Sequence, residues 1–300
     1  MKGFVNVLKP KNMSSSLAVV KVKKILTKAT GEKQKVGHFG TLDPLASGVL
    51  PIAIGNATRL FDYAQDKVKV YQATFKFGVE TDTLDSEGQI VSTCDKQISK
   101  ADILNVLGQF VGKIEQIPPQ YSAKSVDGKR AYELAREGKN VELKAKQIEI
   151  YDFKLIGTAQ NKVHFKDGEH TLSNNEFAFE IACSSGTYIR ALARDLAHAL
   201  GTVGYMSSLL RVQSGAFLFE NGVSIEDFEK NQLEYVLPLS FVLDSFETFD
   251  LPKEYAFQVL NGVKLAFDNL PKDMFVAKLD GEVVGIAKNE DGKLVFKTRL

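Results

Sequence analysis

The segment GHFGTLDPLASGVLPIAIG, residues 37–55, holds four glycines and a single carboxylate, Asp43. An acid isolated among small and apolar residues is expected in a fixed turn beside low-dielectric surroundings. The following Pro44 restricts Asp43 to extended backbone conformations. A carboxylate so held is a candidate to carry chemistry. Residue type alone favours the plainer reading, an Asx turn holding a loop. The glycines do not form a phosphate-cradling P-loop, because no Gly-Lys-Ser/Thr follows them.

Three other side chains invite the same weighing. Arg190 falls in the first turn of a helix expected from TYIRALARDLAHALG, where the macrodipole disfavours a cation by ~0.3–1 kcal/mol. A buried or semi-buried acid would offset that cost; a solvent-exposed arginine without a partner is the alternative. Tyr71 lies on an apolar strand face and reads as core, and His38 reads as a satisfied loop histidine. The four histidines (38, 164, 170 and 198) make no metal-ligand pattern, and Cys94 and Cys183 have no CxxC spacing. Neither zinc nor a disulfide framework is expected.

The elements that must position these residues follow from periodicity and caps. Phe4 to Leu8 reads as a strand stopped by Lys9-Pro10. The serines at 14–16 offer an N-cap to a helix ending near Ala29, with Gly31 as its stop. On it Val19, Val22, Leu26 and Ala29 share one face, while Lys21, Lys24 and Lys28 form a basic stripe on another. In 67–77, alternation puts Tyr71, Ala73, Phe75 and Phe77 on one side of a strand. Ser99 with Asp102 resembles a capping box for a helix bearing Ile103, Val106, Leu107 and Phe110. A loop and a short helix ending at Gly138 are expected from 118–138. Strands are expected at 147–157 and 176–183, joined by a polar stretch. The helix after Ser184-Ser185-Gly186 carries Ile189, Leu192, Ala193, Leu196 and Leu200 as its apolar stripe, with Arg190 and Arg194 on the other side. Strands and helices mix without strict alternation, which argues for α+β.

Composition bounds the rest. Of 300 residues 44% are apolar and 25% charged, which fits a folded chain rather than a disordered one. No apolar run reaches the ~18–20 residues of a membrane span. The N-terminus lacks a signal-peptide core, so a cytoplasmic address is expected. A net charge of +1 hides an asymmetry: the first 40 residues carry nine lysines and one glutamate, whereas 221–300 have nine bases against fourteen acids. That hints at a polyanionic partner for the N-terminal segment.

Six motifs, in order, resemble the TruB-type tRNA pseudouridine-55 synthases. They are LKPKNMSS (8–15), GHFGTLDPLASGVLPIAIGNATRL (37–60), KVYQATFKFGVETDTLDSEG (69–88), PPQYSAKSVDGKRAYELAREG (118–138), CSSGTYIRALARDL (183–196) and SLLRVQSGAF (208–217). The second and fifth are highly specific. The chain departs from the family pattern at Leu210-Arg211, where two adjacent arginines are common, and at Phe39 and Thr41. A weaker likeness to a shortened PUA-type domain runs through VLNGVKL and GEVVGIAKNEDGKLVFK.

The resemblance implies a pseudouridine synthase fold, with a mixed, largely antiparallel sheet flanked by helices and loops. It implies a catalytic domain over 1–247 and a small PUA-like domain over 248–300. The implied reaction isomerises uridine 55 in the T-loop of tRNA to pseudouridine, without cofactor or metal. Asp43 falls on the family's nucleophile, with Tyr71 and Arg190 as its catalytic companions. By the same resemblance His38 contacts the RNA where the base leaves the stack, Tyr71 and Tyr188 stack against it, and Leu209 lines the pocket. Lys9, Lys21, Lys24 and Lys28 are expected to meet phosphates. The implied enzyme acts on tRNA as a monomer, with no protein partner and no membrane. Two competing readings are a noncatalytic RNA-binding protein on the same scaffold and the catalytic subunit of a guide-RNA particle. The intact Asp43, Tyr71 and Arg190 speak against the first, and the lack of extended basic tails against the second.

Overall fold

The computed structural model describes residues 1–65, 68–122, 125–126, 129–130 and 143–300. The helix expected before Gly138 lies outside these residues. A nine-stranded sheet organises most of the chain. Its strands are β1 (Gly3–Lys9), β2 (Val36–His38), β3 (Ser47–Ile54), β4 (Lys69–Phe77), β5 (Gly112–Gln116), β6 (Lys146–Gly157), β7 (Glu176–Cys183), β8 (Gly204–Ser214) and β9 (Phe217–Leu218). The order is β1-β3-β8-β4-β7-β6-β5, with β2 also on β3 and β9 on β8. All pairs are antiparallel except β3 with β8. The mixed, largely antiparallel α+β architecture expected from the sequence is the one found.

Three helices of at least eight residues, among the described ones, cover one face: α1 (Ser15–Thr30), α2 (Lys100–Leu107) and α3 (Ile189–Ala199). Their limits follow local chemistry. The Ser14 hydroxyl accepts from the Leu17 amide at the start of α1, and Gly31 closes it in the left-handed conformation. Ser99 and Asp102 form the expected capping box of α2. The buried face of α1 is Ala18, Val22, Ile25 and Leu26, whereas Ala29 is exposed, so the apolar stripe is rotated from the one expected. These helices pack on Tyr71, Ala73, Phe75 and Phe77 of β4 and on Phe177, Phe179, Ile181 and Cys183 of β7. Phe75, Phe153 and Phe179 pack as a triad with ring centroids 4.8–6.4 Å apart.

The stretch between β6 and β7 is not merely a polar connection. It contains a hairpin, Lys162–Phe165 with Gly168–Thr171, whose Val163 and Phe165, with Leu172 just beyond it, pack on Ala178, Leu210 and Val212. The Lys166 amide donates to Gln72 Oε1 at 2.8 Å, so the hairpin shelters the sheet face opposite the helices. A separate four-stranded sheet follows, β10 (Thr248–Asp250), β11 (Met274–Leu279), β12 (Glu282–Glu290) and β13 (Lys293–Arg299). It has its own core around Phe275, Ala287 and Leu294. Val276, Val283 and Ile286 belong to a second cluster shared with Phe4, Val49 and Ala53 of β1 and β3. No helix among the described residues is long and apolar enough to cross a membrane.

Candidate active site

Asp43 lies in the connection between β2 and β3, and Arg190 in the first turn of α3, 147 residues away in sequence. They meet in a two-pronged pair. Arg190 Nε donates to Asp43 Oδ2 at 2.9 Å and Nη2 to Oδ1 at 3.2 Å. The guanidinium is completed by the Thr83 carbonyl on Nη1 and the Tyr121 carbonyl on Nη2, both at 2.9 Å. A second carboxylate, Asp85, stands 3.7 Å from Nη1. Side-chain exposure divides the pair's labour: 7% for Arg190 and for Asp85, but 35% for Asp43. Arg190 is therefore not a solvent-facing residue of α3. It is a buried clamp that leaves one carboxylate open.

The Asp43 turn is held from both sides. Leu42 and Leu45, which flank it, are buried in the core under the sheet. Ser15, at the start of α1, exchanges both hydrogen bonds with Leu42: its hydroxyl donates to the carbonyl at 2.9 Å and accepts from the amide at 2.8 Å. The Asn12 amide donates to the Pro44 carbonyl at 2.8 Å. Lys9 supplies the underside. Its ammonium sits among the carbonyl oxygens of Pro10, Met13, Pro44 and Ala46. Burial lowers it from 10.5 to about 8, opposed by the nearby Asp43 charge. Lys9 is 1% exposed, so the phosphate contact expected of it is corrected: its charge is spent inside the protein.

The parallel pairing of β3 with β8 brings a third group to the site. Gly48 lies opposite Arg211 with φ +99°, and a Cβ there would stand 2.3 Å from the Arg211 carbonyl, so only glycine permits this approach. Arg211 is buried, with Nε on the Val49 carbonyl at 2.7 Å and Nη2 on the Gly40 carbonyl at 3.1 Å. It thus braces the far end of the Asp43 loop. Tyr71 pairs with Arg211 across β4 and β8. Burial raises the Tyr71 phenol, against the opposing charge and hydrogen bond of Arg211, so it stays protonated.

The remaining expected site residues divide. Leu209 is buried in the same apolar cluster as Tyr71 and Leu42. His38 ends β2; burial, and then Arg211, lower its pKa, and its Nδ1 is buried without a hydrogen-bond partner. Tyr188 precedes α3, its amide donating to Gln116 Oε1 at 2.9 Å and its carbonyl accepting from Gln116 Nε2 at 3.1 Å. Lys24 and Lys28 are exposed and Lys21 half-buried on α1; the contacts described do not tie these three to the Asp43 loop. Sequence reasoning missed Ser15, Asp85, Gln116 and Arg211 as organisers of the site. Ser15, Asp85 and Arg211 stood inside quoted motifs, but their partners are distant in sequence.

The fold is the pseudouridine synthase fold. Along 99% of its length the chain matches the solved structure of a Cbf5–Nop10–Gar1 complex (TM-score 0.68, 22% identity, 84% of that chain). It matches an H/ACA RNP bound to a substrate RNA containing 2′-deoxyuridine comparably (TM-score 0.67, 20% identity, 84% of that chain). A sequence model of the TruB family pseudouridylate synthase (N terminal domain) matches residues 23–189. The tRNA pseudouridine synthase B of Novosphingobium aromaticivorans is 40% identical over 302 residues, covering 97% of this chain and 95% of its own. That of Clostridium novyi is 36% identical over 308 residues, with both chains covered completely. The chain belongs to the TruB family of pseudouridylate synthases, and its chemistry is isomerisation.

Proposed function

We propose that this protein isomerises uridine 55 in the T-loop of tRNA to pseudouridine, with Asp43 as the nucleophile. The observation that carries the reading is the two-pronged Asp43–Arg190 pair, with the arginine buried and the carboxylate left partly open. The reaction breaks the N1–C1′ glycosidic bond, turns the base and joins C5 to C1′. The C5 proton is lost and N1 gains one, so atoms balance without an external reagent. A carboxylate suits an electron-poor C1′, as in glycoside cleavage. Arg190 aims Asp43, since two parallel hydrogen bonds fix both position and angle.

The target base must leave the folded T-loop at an unstacking cost of a few kcal/mol. Stacking on Tyr71 and Tyr188 offsets that by about 1–3 kcal/mol per base. Leu209 walls the pocket and His38 meets the RNA at its mouth. Catalysis belongs to residues 1–247, and the sheet of 248–300 is a PUA-like accessory unit. The protein acts on tRNA alone, as a monomer in the cytoplasm. The names of its relatives and its own site geometry support this reading. Incubating the protein with an unmodified tRNA transcript and no added factor, then mapping pseudouridine, tests it. Modification confined to position 55 is expected; none, or modification elsewhere, contradicts it.

A further inference from the structure

One cationic group near the site is not used by that chemistry. Lys69 opens β4, two residues before Tyr71, and is half-buried. No side-chain acceptor for its ammonium is found among the described residues. Its nitrogen stands 3.4 Å from the point a Cβ on Gly40 would occupy, and Arg211 Nη1 stands 3.6 Å from the same point. Gly40 has φ +96° and no side chain, and both nitrogens lie within van der Waals reach of that point, beside the Asp43 loop.

The groups that act most on Lys69 are two cations, Arg211 and Lys146, with the Cys183 thiol acting in the opposite sense. Lys69 falls from 10.5 to about 8 through burial first, then through Arg211, with Lys146 adding to the effect. Lys146 is exposed at the start of β6, Lys69 is half-buried and Arg211 is buried, so positive charge runs from the surface toward the loop. Arg211 already serves the Val49 and Gly40 carbonyls through Nε and Nη2 and is hydrogen-bonded to Tyr71, so it lends charge rather than a free donor. A partly desolvated ammonium without a side-chain acceptor costs free energy unless an anionic oxygen meets it. A basic track with aromatic neighbours is the arrangement that follows a single-stranded backbone.

We propose that Lys69, beside Gly40 and backed by the buried charge of Arg211, forms a phosphate subsite that grips the RNA backbone next to the extruded uridine and so fixes the nucleotide relative to Asp43. The inference rests on the RNA-isomerase reading above. A phosphate there would hold the sugar from its backbone side while Arg190 holds the carboxylate.

The test measures binding of a tRNA T-arm stem-loop in the Asp43→Asn background, which separates affinity from turnover. Lys69→Gln should reduce the log–log salt dependence by about 0.7, one contact's worth on single-stranded RNA. Lys69→Arg should restore it. Replacing, one at a time, the two phosphates flanking the target uridine by uncharged methylphosphonates should weaken binding to protein retaining Lys69 at one position. Lys69→Gln should be insensitive at that position. Removing a half-buried charge relieves its desolvation, so the variant is expected to fold, and circular dichroism checks this. An unchanged salt slope in folded Lys69→Gln, or equal sensitivity to both methylphosphonates with and without Lys69, overturns the subsite. Failure of the parent protein to bind the stem-loop at all would instead overturn the RNA-isomerase reading.

Discussion

The basic residues around the Asp43 loop and those along α1 differ in what answers their charge. Lys9, Arg190 and Arg211 are all buried, and carbonyls or carboxylates surround their nitrogens. Lys24 and Lys28 project into solvent from α1, with Lys21 half-covered between them and the core. Nine lysines in the first 40 residues therefore mix two jobs. One lysine fixes a loop from within, while the α1 stripe can meet a polyanion from without. Net charge along a sequence reports the second job and conceals the first.

The comparison makes graded predictions. Arg190→Lys keeps the charge but loses the planar fork. Single-turnover isomerisation should fall by on the order of 10²–10³, the range for losing one preorganised electrostatic contact. Its melting temperature should change little by comparison. A variant as fast as the parent would reduce the pair to packing.

Lys9→Met leaves the carbonyls of the loop without their ammonium and lets the Asp43 turn drift. A displacement of about 1 Å can cost up to about 100-fold in rate. Stability adds a signature of burial. Unfolded Lys9 holds its proton to 10.5 and the folded state releases it at about 8. Between those values unfolding takes up a proton, so the stability contribution of Lys9 rises with pH, and below about 8 its full burial cost is present. Urea titrations of wild type and Lys9→Met should diverge in the wild type's favour from pH 8 to 10.5. A pH-independent difference would mean that Lys9 is not held as described.

Changing Lys21, Lys24 and Lys28 together to Gln should leave single-turnover chemistry at saturation unaltered. It should flatten the log–log salt dependence of RNA binding by about 2–3, at ~0.7–0.9 per contact. An unchanged slope would leave the stripe as solvated surface and move the RNA footprint elsewhere.

What the sequence made legible was local. The alternation through Tyr71, Ala73, Phe75 and Phe77, the Ser14 cap, the Gly31 stop and the Ser99–Asp102 box each rest on contacts within a few residues. Asp43 and Arg190 were found as candidates because the motif and the helix dipole each drew attention to them. Their angle, and the third partner Asp85, depend on a helix and two loops meeting across the chain. Lys9 read as surface because lysine before proline near a terminus offers no sign of burial; only the fold, by closing Pro44 and Ala46 over it, supplies the carbonyls. The hairpin at 162–171 was hidden by its polar composition, since its few apolar residues, Val163 and Phe165, gain meaning from the sheet beneath them.

The central claim is that the open, arginine-held carboxylate of Asp43 performs the chemistry. Single-turnover conversion of position 55 by Asp43→Asn, measured beside its affinity for the same tRNA, tests it most directly. The amide keeps the shape but loses charge and nucleophilicity, so no pseudouridine should form while binding stays within several-fold of wild type. Turnover by Asp43→Asn at a readily measured rate, with deamidation excluded by mass spectrometry, would contradict the account.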